Sequence, residues 1–459
     1  MLTKDKKAHF IGIGGIGMSG IAQLLLAQGF CVSGSDLKSS GLTEKLSRLG
    51  AQVFIGHNAG NVQGKDLVIY SAAIPGHNPE LKAAVSLDIP VWTRAELLAQ
   101  LANQKKSIAV TGAHGKTTTT SLISHLLATA GLGPTVCVGA ELFNLNSNAL
   151  LGQGDYFVME ADESDGSFLR YQPLYSVVTN IDREHLDYYR DLEHIRENFL
   201  KFMNNTKKAG TVFCCQDDSG LMELAHSLDR RVFSYGLSAE ADISAQGIKL
   251  QDNQARFECL YQGRCLGELS LQIPGRHNVS NALAAIALGL EIGLEFKIIH
   301  QGLSSYNGTK RRLQLKLREK NILIFDDYAH HPTEIRASLE ALKNFKYKRM
   351  LAIFQPHRYT RTKFLLEDFG RCFQGVDYLI ITDIYAASEA PIKGVHAQSI
   401  CQKAKTAQVK NVLFLPKFKI VEHLLDVIRP GDLVAVLGAG DIGGVADALA
   451  EQLQGAHPF

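Results

Sequence analysis

The segment Thr111-Gly112-Ala113-His114-Gly115-Lys116-Thr117-Thr118 has the residue types of a phosphate loop, in the short form G-x-x-G-K-T. The full Walker A spacing asks for glycine at position 110, where Val110 stands. Backbone amides of such a loop cradle phosphate oxygens, its lysine reaches the terminal phosphates and its hydroxyl ligates Mg²⁺. Here those groups are Lys116 and Thr117. A loop-edge lysine packs against little, so losing Lys116 is expected to lower turnover by roughly 10²–10³ and to leave folding intact. Downstream, Glu160 opens the acidic run Glu160, Asp162, Glu163, Asp165, and His185 lies in Thr179-Asn180-Ile181-Asp182-Arg183-Glu184-His185. Alone, either run reads as a solvated loop. After a phosphate loop both belong beyond the carboxyl ends of neighbouring strands, where a carboxylate can hold Mg²⁺.

A second glycine pattern, Gly12-Ile13-Gly14-Gly15-Ile16-Gly17, fits G-x-G-x-x-G, with Asp36 where a ribose-binding acid belongs. By spacing alone it points to NAD, or to nothing more than a tight turn between strand and helix. A third, Gly438-Ala439-Gly440-Asp441-Ile442-Gly443, has no suitable acid after it and reads as a backbone turn. Between them stand Asp326-Asp327-Tyr328-Ala329-His330-His331 and Gln355-Pro356-His357-Arg358-Tyr359-Thr360-Arg361. Paired histidines suggest zinc, but no H-E-x-x-H helix supports it and adjacent histidines point different ways. Histidines and arginines at strand ends suit an anionic substrate better. Arg311-Arg312 reads either as an exposed basic pair or as a phosphate clamp.

Alternating short β-type runs and helical stretches must position these groups. In the N-terminal third the runs are His9–Ile13, Cys31–Ser33, Gln52–Ile55 and Leu67–Tyr70. A polar break near Gln104–Lys106 precedes the strand Ser107–Thr111, the helix Thr118–Ala130 and the strands Tyr156–Met159 and Ser176–Thr179. From Arg231 to Ile273 the pattern turns antiparallel, with a hairpin about Gln262-Gly263, and a helix Asn278–Leu294 follows. A third unit opens near Leu313 with strands Ile322–Phe325, Leu351–Phe354, Tyr378–Thr382, Val412–Leu415 and Leu433–Leu437. The class is α/β with three domains, 1–105, 106–312 and 313–459. The outer two are Rossmann-like; the central one is a mixed phosphate-loop sheet with an antiparallel extension.

The 459 residues carry 48 Lys and Arg against 46 Asp and Glu, which excludes a strongly basic, charge-driven nucleic-acid binder. Apolar residues make up 46%, too many for wholesale disorder. None of the eight cysteines stands in a C-x-x-C pair, so the chain reads as reduced and cytoplasmic. The uncharged stretch Phe10–Ser35 looks like a membrane span until its glycines are counted against it; no membrane association is expected.

Taken together, Ile11–Ala22, Ala109–Thr120, Met159–Phe168, Val178–Asp187, Pro274–Asn281, Gly308–Leu313, Asp326–Ile335, Phe354–Thr362 and Tyr385–Ile392 resemble the Mur ligases over essentially the whole chain. The resemblance implies UDP-sugar-, ATP- and amino-acid-binding domains, in that order. It replaces the NAD reading, because in this family the first glycine loop holds the diphosphate of a UDP-sugar. Within the family it points to the branch that joins L-alanine to the lactyl carboxylate of UDP-N-acetylmuramate. The enzyme would be an ATP- and Mg²⁺-dependent amide ligase of peptidoglycan precursor synthesis, a monomer or homodimer.

Carried over by position, Gly14, Gly15, Gly17, Asp36 and Ser71 fall on the UDP-sugar. Gly112, Ala113, His114, Gly115, Lys116, Thr117 and Thr118 fall on ATP, with His277, Asn278 and Asn281 beside the adenine. Thr117, Glu160 and His185 face Mg²⁺. Lys116, Arg312, Asp327 and His330 are expected to be catalytic, and Tyr328, His357, Arg358 and Arg361 to meet the amino acid. Ala113, Glu184, Leu313 and Ser388 stand where the family usually has Thr, Asp, Phe and Gly. Related ligases use a carbamylated lysine near the second metal; Lys201 is nearby in sequence, without a clear match.

Such a ligase phosphorylates the carboxylate to an acyl phosphate, which the amine then attacks through a tetrahedral intermediate. Three rivals remain at this level: a ligase attaching a recovered peptide to the same sugar nucleotide, an NAD-dependent oxidoreductase, and an ATP-driven switch. The oxidoreductase would leave Gly112–Thr118 idle, and the switch would need no third unit lined with His and Arg.

Overall fold

The computed structural model describes residues 6–71, 73–142, 147–387 and 389–455, without the side chains of 141 and 142; Ser388 lies outside them. Among the described residues there are three sheets, of five, ten and six strands. No described helix is long and apolar enough to cross a membrane.

The first sheet is wholly parallel, in the order Gln52–Ile55, Cys31–Asp36, Lys7–Ile11, Leu67–Tyr70, Val91–Thr93. Its first strand stops at Ile11, two residues short of the expectation, because Gly12 and Ile13 turn to donate their amides to Ser35 O at 2.8 and 3.0 Å. Its second strand continues past Ser33 to Asp36. Glu80, fully buried, braces the strand ends from beneath. It accepts from Ser35 Oγ at 2.5 Å and Asn61 Nδ2 at 2.6 Å, and lies 3.5 Å from His9 Nε2 and 3.0 Å from His57 Nδ1. Burial disfavours its charge, but the hydrogen bonds from His9, Ser35 and Asn61 prevail and hold it down to about 2.

The central sheet has a parallel core about the phosphate-loop strand Lys106–Thr111, which lies between Tyr175–Val178 and Tyr156–Glu160. Arg231–Gly236 and Ile243–Gln251 still pair in parallel, so the antiparallel part expected from Arg231 begins only where Ile243–Gln251 meets Gln254–Tyr261, and it continues to Arg264–Leu271. The following helix is Arg276–Glu291, its Ala-rich body buried. At the opposite edge a hairpin, Thr135–Leu142 with Ser147–Leu150, reaches back to the first unit. Asn148 accepts from Gln23 Nε2 at 2.9 Å and donates to Ile16 O at 2.5 Å, clasping the helix Ile16–Ala27 that follows the first glycine loop.

The third sheet runs Gln314–Glu319, Ile322–Asp327, Asp432–Leu437, Arg349–Phe354, Tyr378–Ile381, Val412–Phe414, with only its first strand antiparallel. It is sandwiched between two apolar layers, one around Phe325, Phe354 and Phe369, the other around Ile324, Ile353 and Leu449. The Gly438–Gly443 segment is a strand-to-helix turn, as read. Arg311 holds it, donating from Nη2 to Gly438 O at 2.6 Å and from Nη1 to Gly440 O at 2.9 Å.

Candidate functional site

The phosphate loop leaves Thr111 and enters the helix Lys116–Thr129, two residues earlier than Thr118. Two of its positions admit only glycine. At Gly112, φ is +132° and a Cβ would stand 2.1 Å from Thr179 Oγ1; at Gly115, φ is +83° and a Cβ would stand 2.7 Å from Asn281 Oδ1. Asn180 ties the loop to the next strand end, accepting from His114 N at 2.9 Å through Oδ1 and donating to His114 O at 3.0 Å.

Lys116 is not a loop-edge side chain. It is 14% exposed and donates to Gly112 O at 2.6 Å, Ala113 O at 3.2 Å and Glu163 Oε1 at 2.8 Å. Burial alone would favour loss of its proton; the charges of Glu163, Asp162 and Glu160 more than compensate and raise its pKa. The expectation that it packs against little therefore fails: the acidic loop folds back over the lysine. His185 joins this group in a left-handed conformation (φ 54°), its Nε2 3.6 Å from Glu163 Oε1. Its pKa is raised against burial, mainly by Glu163, then Glu184 and Asp162.

Thr117 Oγ1 donates to both oxygens of Glu160, at 3.2 and 3.1 Å, and accepts from Arg312 Nη2 at 3.2 Å. Thr117, Glu160, Asp162 and His185 share the wall of a cavity of about 830 Å³, and the ligand atoms of Asp162, Glu163 and His185 lie within 4.8 Å of one another. A hydroxyl and clustered carboxylates are hard oxygen donors of the kind Mg²⁺ takes, so Thr117, Glu160 and Asp162 fit that ion, while His185 beside them offers a nitrogen. Lys201 is exposed on the helix Leu192–Asn204.

The third sheet closes the other side of the same cavity with Tyr328, His330, His357, Arg358 and Arg361. His330 Nδ1 is 3.0 Å from Tyr328 O, a pure acceptor, which leaves Nε2 unprotonated in the neutral ring. Burial lowers the pKa of His330 to about 4 and that of His357 to about 2, so both rings are neutral. His357 stacks on Tyr385 with ring centres 5.6 Å apart. Arg361 is committed elsewhere: it grips Glu184 with two bonds, Nε to Oε1 at 3.0 Å and Nη2 to Oε2 at 2.8 Å. Arg358 reaches Asp187 Oδ2 at 3.0 Å. Arg311 and Arg312 both line the larger cavity, each with its guanidinium 5.2 Å from the Tyr328 ring centre; Arg311 also pairs with Asp326 at 3.3 Å and holds the glycine turn, whereas Arg312 reaches Thr117.

A second cavity, of about 560 Å³, adjoins the first across His114, Gly115, Arg312 and Glu334. His277, Asn278, Asn281, Thr118 and Asp327 line it, with Cys215, Asp217 and Tyr235 opposite. Asn278 Nδ2 donates to Pro274 O at 2.7 Å and Asn281 Nδ2 to Asn278 Oδ1 at 3.3 Å. Burial and then Arg312 lower His277 to about 4. Burial raises Asp327 to about 6, although Arg312 opposes the rise and Ser338 Oγ donates to it at 2.7 Å.

Gly14, Gly15, Gly17, Asp36 and Ser71 line neither cavity. Asp36 turns inward and accepts the Gly14 amide at 2.8 Å. A Cβ on Gly14 would meet that carboxylate at 2.9 Å, and one on Gly17 would meet Arg94 Cδ at 3.2 Å; on Gly15 the nearest neighbour is Gly12 O at 3.4 Å. The tight positions are thus Gly14 and Gly17. Ile16, 40% exposed, carries this loop to the wall of the larger cavity.

Sequence reading left the acids Glu163, Asp182 and Glu334 out of the site. Glu334 carried a signal, since His331-Pro332-Thr333-Glu334 has capping-box spacing. Its Oε2 accepts the amides of His330 and His331 at 3.0 and 3.2 Å.

The order glycine loop, phosphate loop, acidic cluster and His/Arg-lined third sheet is a family pattern. The model described as Mur ligase family, catalytic domain, matches residues 7–106; the Mur ligase middle domain matches 110–289, and the Mur ligase glutamate ligase domain 311–440. The chain belongs to the Mur ligase family. It is 45% identical over 456 residues to the UDP-N-acetylmuramate–L-alanine ligase of Geotalea uraniireducens, covering 99% of this chain and 100% of that one. It is 47% identical over 445 residues to the enzyme of the same name from Desulfotalea psychrophila, covering 96% and 97%. A crystal structure of UDP-N-acetylmuramate-alanine ligase from Thermotoga maritima superposes with a TM-score of 0.84 at 31% identity, covering 98% of this chain and 99% of that one. A murein peptide ligase from Psychrobacter arcticus shares the fold, with a TM-score of 0.72 at 23% identity over 99% and 100% of the two chains.

Proposed function

We propose that this chain joins L-alanine to the lactyl carboxylate of UDP-N-acetylmuramate, using ATP and releasing ADP and phosphate, in peptidoglycan precursor synthesis. The observation that carries the reading is its full-length identity, near one half, to ligases named for that reaction. The peptide-attaching ligase is less favoured, since two solved ligases of that kind are 23% and 26% identical to this chain, against 31% for the solved alanine ligase. Residues 1–105 would take the UDP-sugar, 106–312 ATP, and 313–459 the amino acid. ATP supply and a nucleotide-sugar substrate make the cytoplasm its place of work.

The carboxylate and amine do not condense unaided in water, so the carboxylate is first made an acyl phosphate. In the smaller cavity His277, Asn278 and Asn281 would seat the adenine, and the amides of 112–118 the phosphates. Lys116 exchanges its loop carbonyls for terminal phosphate oxygens, and Arg312 neutralises the charge that moves toward the carboxylate. Thr117, Glu160 and His185 would hold Mg²⁺, which would supply further charge neutralisation. Asp327, beside Arg312, fixes the helix Pro332–Leu342 through Ser338 and thereby the cleft wall. His330 Nε2, an acceptor in a ring that burial keeps neutral, would orient the amino group by accepting a hydrogen bond from it, and Tyr328, His357, Arg358 and Arg361 would enclose the amino acid. With two anions to hold in line, positioning supplies much of the rate.

Phosphate release tests the reading. It should require UDP-N-acetylmuramate, ATP and L-alanine together, and a tripeptide should not replace the alanine. Equal or faster release with the tripeptide would transfer the chain to the peptide-attaching reaction.

A further inference from the structure

Glu334 divides its two carboxylate oxygens between two jobs. Oε2 accepts the backbone amides of His330 and His331 at 3.0 and 3.2 Å and lies 3.3 Å from His330 Nδ1. That oxygen alone completes the cap at the start of the helix Pro332–Leu342. The cap has no use for Oε1, yet Oε1 faces His114 of the phosphate loop, whose Nδ1 lies 3.3 Å away across the seam between the central and third sheets. Neither side chain is freely solvated: His114 is 14% exposed and Glu334 13%.

His114 meets Glu334 as a cation. Burial alone would strip its proton, but Asp182, with Oδ2 2.9 Å from Nε2, and Glu334 outweigh burial and raise its pKa to about 9; Glu184 adds to the rise. His331, stacked on the same ring with centres 4.7 Å apart, stays neutral, lowered by burial and then by His114. The backbone of His114 is fixed as well. Its amide donates to Asn180 Oδ1 at 2.9 Å, and its carbonyl accepts from Thr179 Oγ1 at 2.6 Å and Asn180 Nδ2 at 3.0 Å. A chain of contacts thus runs from the phosphate loop through His114 and Glu334 to the amide and ring of His330. Both His114 and Glu334 stand where the two cavities adjoin.

We propose that Glu334, fixed by the His114 imidazolium, is a positioning residue that holds His330 in register with the phosphate loop, so that the amino group of the amino-acid substrate is presented to the carboxylate activated there. The proposal rests on the amide-ligase reading above. Attack on an acyl phosphate needs the amine aligned with the acyl carbon, and a misplacement of about 1 Å costs roughly 10²-fold. Glu334 acts through His330, and His114 acts through Glu334. Loss of His114 leaves the carboxylates of Asp182 and Glu334 without the cation that joins them.

Phosphate release by the full chain, with UDP-N-acetylmuramate and ATP saturating and L-alanine varied, is compared for His114→Gln, Glu334→Gln, the double variant and Thr333→Val. Thr333 Oγ1 crosses the same seam, donating to Asp182 Oδ2 at 2.9 Å, without belonging to the chain of contacts. Each of the first two variants should raise the KM for L-alanine roughly 2- to 30-fold. The double variant should raise it no further than the worse single one, because the two residues act as one unit. Thr333→Val should leave it close to the unaltered value. Effects that multiply in the double variant, or a Thr333→Val shift as large as that of Glu334→Gln, would overturn the relay by reducing it to seam packing. Should Glu334→Gln not fold, His114→Gln against Thr333→Val decides, and an unchanged KM in the former overturns the proposal. An unaltered chain that releases no phosphate with L-alanine would defeat the amide-ligase reading and the relay with it, whereas multiplying effects in an active chain would defeat the relay alone.

Discussion

Replacing Lys116 with alanine tests whether the acidic loop and the phosphate loop form one electrostatic unit. The substitution strips the ammonium from Glu163, whose side chain is 3% exposed and whose Oε2 has no hydrogen-bond partner. Breaking a buried ion pair by removing one member costs about 3–5 kcal/mol. His185 Nε2, 3.6 Å from Glu163 Oε1 with its pKa already raised, softens the loss and favours the lower end, about 3 kcal/mol. For a unit the size of the central one that is a fall of roughly 6–12 °C in the melting temperature. Differential scanning calorimetry of Lys116→Ala reads it. Lys116→Ala with Glu163→Gln, which leaves no stranded charge, should recover most of the fall, while turnover in both stays roughly 10²–10³ below normal. Melting of the single variant within a degree of the unaltered chain would refute the ion-pair argument, as would a double variant no more stable than the single.

In the first unit, Glu80 is held down to about 2 from an ordinary 4.5. A depressed acid stabilises the fold above its unfolded value and ceases to do so as pH falls through the folded one. Glu80→Gln should therefore remove roughly 3 kcal/mol at pH 7 and abolish the loss of stability between about pH 4.5 and 2; urea unfolding at several pH values checks this, and a variant with the normal acid slope would contradict it. Gly112→Ala forces a Cβ to within 2.1 Å of Thr179 Oγ1 at φ +132°, strain of about 1–3 kcal/mol or more, so ATP affinity measured by calorimetry should fall at least roughly tenfold while UDP-sugar binding persists. The full chain should bind UDP-N-acetylmuramate and neither NAD nor NADP; NAD binding as tight as that of the sugar nucleotide would defeat the reading of the first glycine loop.

What was legible in the sequence was local. Glycines at fixed offsets announce a loop because only they tolerate the backbone at Gly112 and Gly115, and the Gln262-Gly263 turn announced its hairpin. The hairpin Thr135–Leu142 with Ser147–Leu150 was illegible because its reason is distant: Asn148 is there to clasp Ile16 and Gln23 of the first unit. The same holds for the acids. The runs holding Glu163 and Asp182 were legible as lying at the cleft, but not which of their acids act; that comes from Lys116 for Glu163, and from His114 for Asp182 and Glu334, far away in the chain. Arg311 and Arg312, neighbours in sequence that both lie over the Tyr328 ring, have different hydrogen-bond partners, the glycine turn for the first and Thr117 for the second, which the dipeptide alone does not announce. Lys116 shows the converse error, a residue correctly chosen whose surroundings spacing alone could not supply.

The central claim is that ATP activates the carboxylate of the sugar nucleotide before the amine attacks. Heavy-oxygen label placed in both oxygens of the lactyl carboxylate follows it directly by mass spectrometry of the products. Passage through an acyl phosphate predicts one labelled oxygen in the released phosphate and one retained in the new amide, with no label in phosphate when the labelled sugar nucleotide and L-alanine are supplied without ATP. Unlabelled phosphate from a reaction that nevertheless forms the amide would contradict the account.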